Sequence, residues 1–268
     1  MEKVKVGFIG CGNMGGALAL AVAKSGVAEV LLTDVDTQKA QNLADVTGGK
    51  VVSLLELVSN AKYIFLGVKP QMMAELINSI APTLKNRTDR FILVTMAAGI
   101  KITSFNDMLG AKFPIIRIMP NTPVAVGEGM ILYSLCCAIT AEEEKEFLKI
   151  LEFSGKLDKL EEELIDAGCV VSGCGPAFVY MFLESMAKAG TEFGLDSQKA
   201  IEYATQTLIG ASKLVETSGK TPETLRQEVC SPKGSTIEGV IKLQNSSFDK
   251  NVNEAMTASF KRTKELGK

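Results

Sequence analysis

The sequence predicts an α/β protein: an N-terminal Rossmann-type, doubly wound sheet over residues 1–160, followed by an all-α helical dimerisation domain over residues 161–268. Three observations predict it. Short apolar runs alternate with helical stretches through the first half. A glycine-rich turn follows the very first run. From about Glu161 the strand signals stop and long helical stretches take over.

The elements follow in order. VKVGFI (4–9) is apolar and rich in β-branched residues, as a strand buried on both faces should be. A helix is expected from about Asn13 to Ser25, then the strand EVLLTD (29–34) and the helix TQKAQNLADVT. YIFLGV (63–68), RFILVTM (90–96) and PIIRIM (114–119) are further strands with helical sequence between them, which implies a parallel sheet covered on both sides. GMILYSLCC (129–137) adds a strand. AEEEKEFLKILEFSG (141–155) reads as an amphipathic helix whose acidic start suits the helix dipole. The boundary near residue 160 reads as a helix-to-helix joint.

In the second half, PAFVYMFLESMAKAGTEFG (176–194) ends at a glycine. DSQKAIEYATQTLIGASKLVETSG (196–219) opens with an acidic cap and ends at another. TPETLRQEV, STIEGVIKLQ and a helix from about Ser247 to Leu266 complete the chain. The helix from 176 is apolar round most of its girth, with Phe178, Val179, Met181, Phe182, Leu183 and Met186, and such a helix is buried all round. A helical domain of roughly a hundred residues has limited interior to offer, so a partner subunit is expected to supply the rest.

Composition excludes several chemistries. Net charge is −2, so no basic footprint argues for nucleic acid. The start MEKVKVGFIG runs straight into strand-like sequence, and no unbroken apolar span of transmembrane length is read, so a soluble, cytoplasmic protein without a membrane partner is expected. Six cysteines are scattered without a C-x-x-C and read as reduced, buried small hydrophobes. Histidine is absent, which removes His acid–base catalysis, His-activated nucleophiles and His-ligated metals; no metal site is expected.

The turn GFIGCGNMGGALA contains G-x-G-x-x-G as Gly10, Gly12 and Gly15, directly after a strand and opening a helix. The first glycine permits the tight turn, the second lets backbone approach a pyrophosphate, and the third allows close helix–strand packing. The helix N-terminus then faces the negative charge. Asp34 ends the second strand about twenty residues on, where a carboxylate would bind both hydroxyls of an adenine ribose and repel a 2′-phosphate. The bland alternative is that Asp34 caps the next helix. VKPQ (68–71), MAAGI (96–100) and MPNTP (119–123) lie at later strand ends, where open α/β sheets bind ligands, although turns use the same residues.

The stretch VCSPKGSTIEG (229–239) combines a Ser-Pro turn, a Lys-Gly step and two hydroxyls opening a helix. Bare N–H groups at a helix start attract anions, and an ordinary cap is the alternative.

IGCGNMGGA, GVKPQ, MAAGI, RIMPNTPVAVGEGM, VSGCGPAFVYMFLE and VCSPKGSTIEG occur in this order, and the chain resembles the pyrroline-5-carboxylate reductases from Val4 to its final helix. The resemblance implies hydride transfer from NAD(P)H to the C=N bond of 1-pyrroline-5-carboxylate, giving L-proline in the last step of proline biosynthesis. It implies a homodimer with interlaced helical domains, and leaves a larger ring of dimers open. The cofactor pyrophosphate is expected over Gly10, Cys11, Gly12, Asn13, Met14 and Gly15. Val68, Lys69, Pro70, Ala97, Ala98 and Gly99 are expected near the cofactor. The substrate carboxylate is expected on Ser231, Gly234, Ser235 and Thr236, with Thr236 near the imine nitrogen as the catalytic residue. The chain departs from the family pattern at Lys233, Cys174 and Phe178, where glycine, serine and tyrosine are common. After the second strand, Asp34-Val35 replaces an Arg-bearing element suited to NADPH, so NADH is expected to be at least competitive. Two rivals remain: a β-hydroxyacid dehydrogenase, whose catalytic lysine would have to be Lys188, and a silent dinucleotide sensor.

Overall fold

A computed structural model describes residues 3–266, apart from the side chain of Pro70. Packing divides the chain into two units. One runs through Cys174 and resumes at Ser259; the other is Gly175–Ala258.

The first unit is built on one eight-stranded sheet: β1 (Val4–Ile9), β2 (Ala28–Thr33), β3 (Lys50–Val51), β4 (Tyr63–Leu66), β5 (Ile92–Thr95), β6 (Ile115–Met119), β7 (Gly129–Leu135) and β8 (Gly155–Lys159). Their order is β3-β2-β1-β4-β5-β6-β7-β8. The first six are mutually parallel, β7 is antiparallel to β6, and β8 is parallel to β7. The direction of winding therefore reverses between β1 and β4, where such sheets open a crevice for dinucleotides.

The apolar runs bury alternate residues on opposite faces. Tyr63 and Phe65 join one core cluster with Phe8, Leu18 and Leu32, and the Phe8 and Phe65 rings stack at 4.6 Å. Ile64 and Leu66 join the other with Ile77, Leu93 and Phe105. The helices α1 (Asn13–Lys24), α2 (Thr37–Thr47) and α6 (Ala141–Ile150) lie on the first cluster; α3 (Leu54–Asn60), α4 (Pro70–Asn86) and α5 (Ile102–Leu109) lie on the second.

Two features depart from the sequence reading. The helix expected over 141–155 ends at Ile150, and GKLDK then forms β8, so the chain meets its next helix from a strand. This edge strand is mostly exposed and charged, which hides the usual apolar signal. Helix α7 (Glu162–Ser172) packs with the sheet unit, where Ile165 and Cys169 cluster with Met119 and Leu132.

The second unit carries α8 (Gly175–Glu192), α9 (Ser197–Ser218), α10 (Pro222–Glu228), α11 (Ser235–Asn245) and most of α12 (Phe248–Leu266). Its buried apolar cluster is small, formed by Ala187, Ala200 and Ala204. Val179, Tyr180, Met181 and Phe193 are exposed on the single chain. By length and composition Glu162–Glu192 could also cross a membrane, a span the sequence reading did not mark. It is two helices separated around Gly173 and Cys174, and its second part carries Glu184 and Lys188.

Candidate functional site

The glycine turn sits at the reversal point of the sheet. Gly10 has φ 101°, a left-handed conformation, and a side chain there would reach 2.7 Å from the Gly67 carbonyl oxygen at the end of β4. A Cβ on Gly15 would lie 2.1 Å from the Gly10 carbonyl oxygen, so α1 approaches β1 only because that Cβ is missing. At Gly12 a Cβ would meet nothing within 4 Å. Gly12 is thus the position whose lack of a side chain serves no internal packing; it leaves open space over the helix start. Gly12 is also the N-cap of α1, and no side chain caps that helix. Asn13 is exposed and Met14 half-buried beside it. The turn leaves an uncapped helix start facing open space, as a dinucleotide pyrophosphate requires.

Asp34 is tied to this turn. Its Oδ2 accepts a hydrogen bond from the Cys11 N–H at 2.6 Å, and its Oδ1 accepts one from the Asp36 N–H at 2.9 Å. The cap of α2 is Asp36, which accepts from the N–H groups of Gln38 and Lys39. The alternative role for Asp34 as a helix cap is thereby excluded. Val35 is 90% exposed beside it. Burial, and then the Asp34 carboxylate, push the Cys11 thiol up to about 11, so it remains protonated and inert at neutral pH.

The later strand ends are arranged differently. Val68 is half-buried, and Lys69 is exposed as the N-cap of α4. Pro70 opens α4, and its side chain lies outside what the structure describes. Ala97 is buried, Ala98 half-buried, and Gly99 has φ 76°. In the MPNTP segment, Asn121 is an internal brace. Its Oδ1 accepts from the Met130 N–H at 2.8 Å and its Nδ2 donates to the Ser172 carbonyl at 2.9 Å. These two bonds fix the orientation of the amide.

Sequence reasoning missed Arg117. It is fully buried on β6, its Nη2 donating to Asp166 Oδ1 at 2.6 Å and its Nη1 to Glu162 Oε1 at 3.4 Å. A lone Arg inside PIIRIM, with two acids four residues apart on a helix opened by EELID, was the available signal.

In the second unit, Gly234 is the N-cap of α11, and no side chain caps that helix. The Gly234 N–H donates to the Ser231 carbonyl at 3.0 Å, closing a turn with Pro232 and Lys233 at its centre. Lys233 has φ 61°, the left-handed conformation that explains why the resembling family uses glycine there. A Cβ on Gly234 would lie 2.6 Å from Ser231 Oγ, so that glycine serves the turn's own packing first. Ser231, Ser235 and Thr236 are exposed. The result is a stiff turn with an uncapped helix start and three exposed hydroxyls, suited to an anion.

Comparison with known proteins covers both units of the chain. Residues 162–266 match the family described as pyrroline-5-carboxylate reductase dimerisation, and residues 5–99 match NADP oxidoreductase coenzyme F420-dependent. The chain is 35% identical to pyrroline-5-carboxylate reductase from Arabidopsis thaliana, covering 99% of this chain and 96% of that one. It is 35% identical to the Escherichia coli (strain K12) protein of the same name, over the whole of both. A crystal structure of Plasmodium falciparum pyrroline carboxylate reductase with NADP bound superposes with a TM-score of 0.88 at 29% identity, covering all of both chains.

Proposed function

The chain belongs to the pyrroline-5-carboxylate reductases and is an oxidoreductase of that activity, and from this premise we propose how its own residues hold cofactor and substrate. The overall reaction adds a hydride to the imine carbon of 1-pyrroline-5-carboxylate and a proton to its nitrogen, giving L-proline as the last step of proline biosynthesis. The nicotinamide cofactor supplies the hydride.

The observation that carries the cofactor reading is the open space at Gly12 over an uncapped helix start, with the Asp34 carboxylate beside it. Gly10 through Gly15 receive the pyrophosphate. Asp34 accepts from the adenine ribose hydroxyls and repels a 2′-phosphate, so NADH is at least competitive with NADPH. Val68, Lys69, Pro70 and the turn Ala97–Gly99 line the nicotinamide end.

The turn in the helical unit receives the substrate. Its carboxylate lies on the N–H groups at the start of α11 and on the hydroxyls of Ser231, Ser235 and Thr236. The imine nitrogen is basic enough to be partly protonated near neutral pH, and an iminium carbon is strongly electrophilic. The site therefore needs alignment more than a strong acid, which suits a chain without histidine. Thr236 contacts the nitrogen through its hydroxyl.

The same reading makes the protein a homodimer through the exposed apolar surface of α8 and its neighbours, and places it in the cytoplasm. Six free cysteines are consistent with a reducing compartment. Steady-state turnover of 1-pyrroline-5-carboxylate with NADH and with NADPH tests the assignment. Cofactor binding without proline formation would instead identify a dinucleotide sensor.

A further inference from the structure

The helix α5 starts at Ile102, three residues after Gly99 in the turn that also contains Ala97 and Ala98, and its N-cap Lys101 provides no side-chain cap. Its first N–H, on Ile102, is served from far away in sequence: it donates to Glu162 Oε1 at 2.7 Å, across 60 residues. The same oxygen lies 3.4 Å from Arg117 Nη1, while Arg117 Nη2 is held by Asp166 Oδ1 at 2.6 Å. Arg117 is fully buried, its Nε has no hydrogen-bond partner, and both carboxylates are 17% exposed. At the other end of the turn, the Ala97 N–H donates to the buried Thr95 hydroxyl at 3.4 Å.

A desolvated guanidinium with one unmet donor is a costly way to attach a helix; apolar residues of similar volume would often hold α7 on the sheet as well. A buried ion pair is better suited to fixing a geometry. Here the two carboxylates orient the guanidinium, the guanidinium fixes the Glu162 carboxylate, and that carboxylate complements the partial positive charge at the α5 start. The backbone from Ala97 to Ile102 is thus pinned at both ends.

We propose that Glu162 is a positioning residue for cofactor binding: by clamping the Ile102 N–H it sets the backbone of the Ala97–Gly99 turn on which the nicotinamide ring lies. This rests on the reading that the turn lines the nicotinamide end of the site. A clamp acting this way preorganises the turn, so that less ordering is lost on binding.

The test compares Glu162→Ala, Glu162→Gln and Asp166→Asn in the full chain, with NADH affinity read by fluorescence and amide exchange read over residues 97–104 with and without NADH. Glu162→Ala is expected to speed exchange at Ile102 in the free protein and to weaken NADH binding about five- to twentyfold. Glu162→Gln keeps a carbonyl acceptor and should recover most of that affinity. Asp166→Asn weakens the closer Arg117 contact and leaves the Glu162–Ile102 bond itself in place, so it should lower the melting temperature and weaken NADH binding less than Glu162→Ala does. If Glu162→Ala and Asp166→Asn both lower the melting temperature while NADH affinity stays at the wild-type value, Glu162 merely anchors α7 and the proposal is overturned. If NADH fails to slow exchange over this segment in the wild type, the ring does not lie there, and the underlying reading falls with it.

Discussion

The Asp34 carboxylate receives the Cys11 N–H at 2.6 Å, tying the end of β2 to the middle of the glycine turn across 23 residues. One oxygen thus ties the glycine turn to β2, while the other, bonded to the Asp36 N–H, fixes the orientation of the carboxylate. Asp34→Ser should remove both the charge and the tether. Its kcat/KM with NADH should fall about ten- to a hundredfold, with NADPH held or improved. Steady-state kinetics with both cofactors decide it; a wild type preferring NADPH a hundredfold or more, indifferent to this substitution, would sink the assignment.

Two of the motif glycines, Gly12 and Gly15, should separate in their effects. Gly15→Ala drives a Cβ to 2.1 Å from a backbone oxygen, which cannot move aside as a flexible side chain could. It should cost about 1–3 kcal/mol in urea denaturation and impair cofactor binding as well. Gly12→Ala meets nothing within 4 Å and has φ −71°, so stability should change by less than about 0.5 kcal/mol. NAD(P)H affinity should nevertheless drop about tenfold or more, because the new methyl group occupies the ligand's space. Equal affinity in Gly12→Ala would place the pyrophosphate elsewhere.

These glycines and Asp34 were legible because their chemistry is local: a turn, a helix start and a strand end, each read within a few residues. The Arg117 pairs were not, because Asp166 is 49 residues away and only folding shows that β6 faces α7. The bracing role of Asn121 was hidden for the same reason, since its partner Ser172 lies 51 residues along the chain. β8 escaped notice because an exposed edge strand of charged residues carries no apolar alternation. The start of α8 was read as buried all round, and on the single chain Met181 is 66% exposed. That disagreement is what a missing partner would produce.

Light scattering at micromolar concentration should accordingly show a particle of at least twice the 28.7 kDa chain. Obligate interfaces of this kind bury roughly 2,000 Å² or more. Met181→Glu places a charge in the exposed apolar surface of α8 and should shift the protein toward monomer or aggregate. A wild-type particle of single-chain mass would refute the dimer.

The acid limb of the stability profile should depend on Glu143. Hydrogen bonds from Arg90, at 2.6 and 2.8 Å, hold its carboxyl at about 2 instead of 4.5, against the opposing effect of burial. A carboxylate depressed in the folded state contributes stability above its unfolded pKa and loses it as pH falls through the folded one. The stability difference between wild type and Glu143→Gln should therefore be constant near neutrality and shrink between about pH 4.5 and pH 2. Urea titrations across that range measure it; a difference that does not narrow would show that the charge is not what stabilises.

The turn proposed to receive the substrate gives the sharpest division of roles. The α11 start has no side-chain cap, its first-turn N–H groups carry partial positive charge, and Ser235 and Thr236 stand exposed beside them. Pro232, the left-handed Lys233 and the Gly234–Ser231 hydrogen bond make the turn stiff, so little ordering entropy is lost when an anion settles there. Backbone donors survive side-chain mutation. Ser235→Ala removes one hydroxyl from the carboxylate and should mainly raise KM for 1-pyrroline-5-carboxylate. Thr236→Ala should also lower kcat, because a contact to the imine nitrogen strengthens as the hydride arrives. Loss of one hydrogen bond to a charged group corresponds to roughly 1.5–3 kcal/mol, or about ten- to a hundredfold. The KM for NAD(P)H should hardly change in either variant, which separates this site from the glycine turn. Wild-type substrate kinetics in both, or a proline complex with its carboxylate elsewhere, would reduce the turn to an ordinary helix start.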